Sequence, residues 1–127
     1  MKLKKSKRNT KAKMINVTIE RDDNSNRIVS FKIEGHANYA EHGKDIVCAG
    51  VSAVSVGTVN AIEALAGVEL PVQMKDGWLS SLIPPNVEPL VDEKLQLLLE
   101  SMIVSLNAIA ESYGDHVTVH DRNSNKR

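Results

Sequence analysis

A single cysteine, Cys48, stands where a polar stretch holding His36 and His42 gives way to small and apolar residues with helical spacing. A thiol in the first turn of a helix faces unpaired backbone N–H groups and the positive end of the helix dipole. Both favour the thiolate, which is the nucleophilic form. A histidine upstream supplies a base to take the proton, which completes the parts of a cysteine nucleophile. The chemistry this allows is attack of sulfur on a carbonyl carbon, with the oxyanion received by amides at the helix start.

His36 follows Gly35 at the end of a strand-like pattern, and His42 lies in the same loop, so spacing alone permits either as the base. Asp45 either steers the imidazole or caps the helix. Ser52, four positions after Cys48, falls on the same side of a helix. It either donates to the oxyanion or packs as a small residue. The bland fate of a lone cysteine is an inert, buried small hydrophobe; the flanking loop, the histidines and the helix start favour the nucleophile.

His116 and His120 fall on one face of a short strand pattern, and no further ligands accompany them. With one cysteine, no CxxC spacing and nothing beside the His116–His120 pair to complete a site, neither a structural metal nor a cofactor is expected. No glycine-rich phosphate loop is present.

The elements that must position these residues read as follows. Ile15, Val17 and Ile19 alternate with polar residues, as do Val29, Phe31 and Ile33. Between them, Asp22 to Asn26 is turn chemistry, so a hairpin is expected. Residues 35–47 read as an exposed loop. A helix runs from about Cys48 to Ala66, apolar or small nearly all round, a pattern expected of a buried, closely packed helix. Gly67 ends it. Val68, Leu70, Val72 and Met74 alternate as a third strand, with Pro71 marking an edge or bulge. Asp76-Gly77 turns the chain into Trp78, Leu79, Leu82 and Ile83. A second helix spans Glu88 to about Tyr113, and Val117 and Val119 mark a final strand. The order β-β-α-β-β-α-β predicts an α+β, two-layer sandwich: a mainly antiparallel sheet of about five strands covered by two helices.

The chain has 127 residues, 16 basic and 16 acidic, enough for one domain with a real core. Its neutrality hides an asymmetry. Residues 1–13 carry seven positive charges and no acid, residues 14–121 hold six basic and all sixteen acidic residues, and residues 122–127 are basic again. The expected organisation is a disordered basic leader over 1–13, a single domain over 14–121 and a polar basic tail over 122–127. An electrostatic arm toward ribosome or RNA is the alternative use of those ends, although no aromatic interleaves the lysines. One cysteine excludes an intramolecular disulfide. No apolar run approaches the roughly 18 residues of a membrane span, and no apolar segment follows the basic start. No membrane association is expected, and a cytoplasmic location is.

The stretch Gly35-His36-Ala37, followed by Gly43-Lys44-Asp45-Ile46-Val47-Cys48-Ala49 and Ser52, resembles the ribosomal-processing cysteine protease Prp family, over Met14 to about Asp121. The resemblance implies a thiol protease of ribosome biogenesis, a homodimer without metal. Its members remove the N-terminal extension of a large-subunit ribosomal protein (number twenty-seven), cutting just after a hydrophobic stretch that ends in two phenylalanines. It further implies a His–Cys dyad falling on His36 and Cys48, with Asp45 and Ser52 in support. The segment 37–47 would be a flap that orders over the peptide, so Gly35, Ala37, Asn38, Tyr39, His42 and Gly43 are expected around the substrate. The competing reading is a non-catalytic, dimeric module that binds the ribosome or RNA through the basic ends.

Overall fold

The computed structural model describes residues 14–37, 39–41 and 45–122. The basic leader, most of the basic tail, and the expected flap residues Asn38, His42 and Gly43 lie outside them. Strands β1 (Ile15–Arg21) and β2 (Ile28–Glu34) form the expected hairpin. In its turn the Asp22 carboxylate accepts from the Ser25 amide at 2.9 Å, and Asn26 takes a left-handed conformation. Helix α1 (Ile46–Ala61) follows and continues through a π-helical turn, Ile62–Ala66. Then come β3 (Val72–Lys75), β4 (Trp78–Leu82), helix α2 (Pro89–Ser112) and β5 (Val117–Arg122).

The sheet order is β3-β4-β2-β1-β5. All neighbours are antiparallel except β1 and β5, which run parallel. Pairing brings alternate residues to one face: Val17 opposite Ile33 and Val119, Ile19 opposite Phe31, and Ile33 opposite Leu79. That face is buried under Leu95, Leu99, Met102, Ile103 and Leu106 of α2 and Val47 and Val51 of α1. The core is aliphatic apart from Phe31, as the scarcity of aromatics requires. Gln96 clamps α2 to β2, accepting from the Ile28 amide at 2.8 Å and donating to its carbonyl at 2.9 Å. Arg21, buried at the junction of β1, α2 and β5, binds Glu100 and Asp121. Charge-assisted bonds of this kind are worth more than neutral ones.

Four expectations change. The third strand starts at Val72 rather than Val68, because Pro71 has no N–H to give and the Val72 amide turns back to the Leu70 carbonyl at 2.8 Å. Helix α1 starts at Ile46, two residues before Cys48. It is also not buried all round. Val47, Val51 and Ser55 are inside, whereas Ala49, Ser52, Ala53 and Gly57 are exposed. One sheet and one neighbouring helix can cover only part of a helix surface, and small residues read alike on both sides. The same residues make the stretch Ile46–Ala66, 21 residues long, sufficiently long and apolar to cross a membrane by length and composition, contrary to the run-length reading. A helix packed on a sheet carries the same signature.

Candidate active site

The site begins where β2 leaves the sheet. Gly35 has φ +103° and donates to the Gly77 carbonyl at 2.8 Å. A side chain there would strike the Met14 carbonyl oxygen, so only glycine lets the strands approach this closely. The chain is thereby led across the β3–β4 turn with the His36 ring lying on Gly77. A Cβ built on Gly77 would be 2.6 Å from His36 Nε2 and 3.0 Å from Cε1. His36 itself is exposed, and the next residue, Ala37, is 3% exposed. The Ala37 N–H donates to Cys48 Sγ at 3.3 Å, and its carbonyl meets His116 Nδ1 at 2.8 Å. Tyr39 then stands edge-on to both Tyr113 and His116.

Asp45 sets the other wall. It is the N-cap of α1, with extended backbone angles that suit a cap. Its Oδ1 accepts from the amides of Val47 and Cys48, both at 3.0 Å, and Oδ2 from the amides of Tyr39 at 2.8 Å and Ala40 at 3.4 Å. Burial opposes its ionisation, but the four N–H donors outweigh burial and hold the carboxyl below its ordinary value of 3.8. Of the two sequence readings for Asp45, capping is the contact formed. The Val47 and Cys48 amides at the helix start thus serve Asp45, and the Ala37 N–H from the loop meets the sulfur.

The lowered value has a testable consequence. A carboxylate held below its unfolded value stabilises the fold above that value and loses its contribution as pH falls through the native one. Asp45→Asn keeps a capping oxygen but loses the charge that strengthens the bonds from the four amides, so it should be less stable than the unaltered protein at pH 7 by about 1 kcal/mol. The gap should narrow once the pH is taken below about 4. Urea denaturation from pH 7 to pH 3 checks this; a gap independent of pH would contradict it.

Cys48, half-buried, occupies the third position of α1 and opens into a cleft of about 500 Å³. His36, Asp45 and Ser52 line the same cleft, with Ser52 exposed one turn beyond the sulfur. Of the residues singled out from the sequence, His36, Asp45, Cys48 and Ser52 therefore come together, and Gly35 lines the cleft beside them. Ala37 and Tyr39 are tied to the fold behind it. The far wall is apolar, with Ile33, Val56, Met74, Trp78 and Leu79, and Lys75 sits with its Nζ 5.8 Å from the Trp78 ring centroid.

Sequence reasoning misses Gly77, which reads only as a turn residue, and His116. The latter lies in the turn before β5 rather than in the strand, and it faces Ala37, whereas His120 meets Asn16 at 3.3 Å. No local pattern marks either contact, since Gly77 and His116 are 41 and 79 positions from their partners. Among the described residues no group of three or more His, Cys, Asp or Glu is arranged to hold a metal ion.

A cysteine at a capped helix start, sharing a cleft with a histidine on the neighbouring loop, defines a thiol-hydrolase type of site. The family described as cysteine protease Prp matches residues 14–118. The chain is 46% identical over 108 residues to the ribosomal processing cysteine protease Prp of Bacillus subtilis, covering 84% of this chain and 96% of that one. The crystal structure of the essential ribosomal processing protease Prp of S. aureus with a covalently linked product peptide superposes with a TM-score of 0.76 at 33% identity. It covers 86% of this chain and all of that one. The same S. aureus protease with a substrate peptide gives 0.72 at 32% identity, with the same coverage. The chain belongs to the Prp family and is a cysteine protease.

Proposed function

We propose that this protease removes the N-terminal extension of a large-subunit ribosomal protein (number twenty-seven), with Cys48 as nucleophile and His36 as base. The observation that carries the reading is the shared cleft: the only cysteine and His36 face one cavity with an apolar wall large enough for hydrophobic side chains. The relatives named for ribosomal processing, one of them seen with a product peptide covalently attached, support the substrate class.

In the proposed reaction His36 takes the thiol proton. Sγ bonds to the scissile carbonyl carbon, and the proton passes to the leaving amine as the C–N bond breaks. Water then attacks the thioester, its proton going to His36, and the acid product leaves with the thiolate restored. Asp45 serves by fixing the helix start and the loop at Tyr39 and Ala40, so its role is to hold the nucleophile's surroundings. Ser52 is proposed to contact the peptide from the next turn. The apolar wall at Met74, Trp78 and Leu79 would receive the hydrophobic residues that precede the cut.

The test is incubation with a peptide carrying that extension, with the fragments weighed by mass spectrometry. A single cut after the hydrophobic run is expected. A peptide left whole under conditions where the protein is folded would overturn the substrate assignment.

The protein is further proposed to act as a homodimer. Leu90, Leu97 and Val104 lie seven residues apart along α2 and are 67%, 70% and 69% exposed, which makes an apolar stripe on the helix layer. Ile46 of α1 and Leu65 of the π-helical turn that follows it add exposed apolar surface. An exposed apolar stripe along one helix marks an interface. Sedimentation equilibrium should give the mass of two chains, falling to one in Leu97→Glu. A monomer at all micromolar concentrations would remove this proposal.

A further inference from the structure

We propose that His116 is a positioning residue for peptide cleavage, acting through Ala37 to hold His36 and the amide donor of the Cys48 sulfur in place. The inference rests on the protease reading above and concerns a residue on a different part of the chain from the cleft's other members.

Ala37 is held from two sides. Its N–H reaches Cys48 Sγ at 3.3 Å, and its carbonyl oxygen is 2.8 Å from His116 Nδ1. A carbonyl oxygen can only accept, so Nδ1 is the protonated ring nitrogen and His116 is the donor. The imidazole is braced by Tyr39, whose ring stands 5.3 Å away at 82°, and Tyr39 in turn meets Tyr113 at 5.5 Å and 87°. Edge-to-face pairs of this geometry are favourable beyond their buried area. His116 and Tyr113 belong to the α2–β5 connection, which is anchored by the His116 amide on the Tyr113 carbonyl at 2.8 Å and by the His116 carbonyl on the Ile15 amide at 2.9 Å. A rigid corner of the sheet thus reaches across to Ala37, a buried residue of the loop.

The consequence is mechanical. His36 directly precedes Ala37, so its backbone is fixed by Gly35 on one side and by Ala37 on the other. Loss of the His116 bond frees the Ala37 carbonyl, and the residue can then rotate its N–H away from the sulfur and carry His36 with it. Misplacement of about 1 Å in such a pair costs on the order of a hundredfold in rate. His116 does not line the cleft, so it positions rather than reacts.

Three substitutions separate positioning from simple stability. Asparagine can present its amide nitrogen where Nδ1 stood, glutamine presents it farther out, and leucine offers none. With the same extension peptide, His116→Gln and His116→Leu should lose about tenfold to a hundredfold in kcat with KM within about threefold. His116→Asn should recover most of that loss, and all three should melt cooperatively. If His116→Leu fails to fold, the asparagine–glutamine pair still decides. Full kcat in His116→Gln, or an equal loss in His116→Asn and His116→Gln, would overturn the inference. Cys48→Ala run in parallel distinguishes the two levels: if it cuts normally, the protease reading fails and this inference with it. An inert Cys48→Ala beside a fully active His116→Gln removes this inference alone.

Discussion

Replacement of Cys48 by alanine should abolish cleavage of the extension peptide, a loss of at least about 10⁴-fold, while the protein stays folded. The size follows from the proposed role of the Cys48 sulfur as the atom that forms the covalent bond; deleting a nucleophile leaves only the binding contribution of the site. The fold should survive because Cys48 is half-buried at the edge of the core and alanine suits the first turn of a helix. The substitution removes the acceptor of the Ala37 N–H, so a stability cost of about 1 kcal/mol is expected. Mass detection of the fragments reads the activity, and thermal melting reads the fold. Retained cleavage in this variant would remove sulfur from the mechanism, since no other cysteine exists in the chain.

Gly77→Ala carries the second large effect, and it comes from outside the conspicuous cysteine–histidine stretch. Gly77 has φ +75°, where an L side chain is strained by about 1–2 kcal/mol. Its new Cβ would also lie 2.6 Å from His36 Nε2. Of the two neighbours the imidazole is the end of a side chain and the turn is backbone, so the imidazole yields. If His36 is the base, as proposed, its displacement should reduce kcat by about a hundredfold, with melting lowered only by the backbone strain. Gly67→Ala is the matched control: its φ is +72°, and nothing lies within 4 Å of a Cβ there. The two variants should lose similar stability while only Gly77→Ala loses activity. Equal activity in both would mean that the ring does not need the place it occupies.

Local chemistry made much of this protein legible. The alternation of Ile15, Val17 and Ile19 and of Phe31 and Ile33 marks one buried face, which is the face the sheet presents to the helices. Leu95, Leu99, Met102 and Leu106 at helical spacing are the core stripe of α2. Asp76-Gly77 makes the hairpin between β3 and β4. The pattern failed where a residue's surroundings come from elsewhere. Small residues around α1 gave no sign of which side is covered, and Pro71 shortened β3 from the N-terminal side.

The order of elements, the turn residues, and the candidacy of Cys48 and His36 were determined by the sequence itself. These depend on backbone periodicity and side-chain chemistry within a few residues. Only the tertiary structure decided that Asp45 engages both the helix start and the loop, that His36 rests on Gly77, and that Ala37 bonds both the Cys48 sulfur and His116. Such contacts join strands and turns far apart along the chain. Their partners are chosen by sheet register and helix packing, which no short stretch of residues encodes.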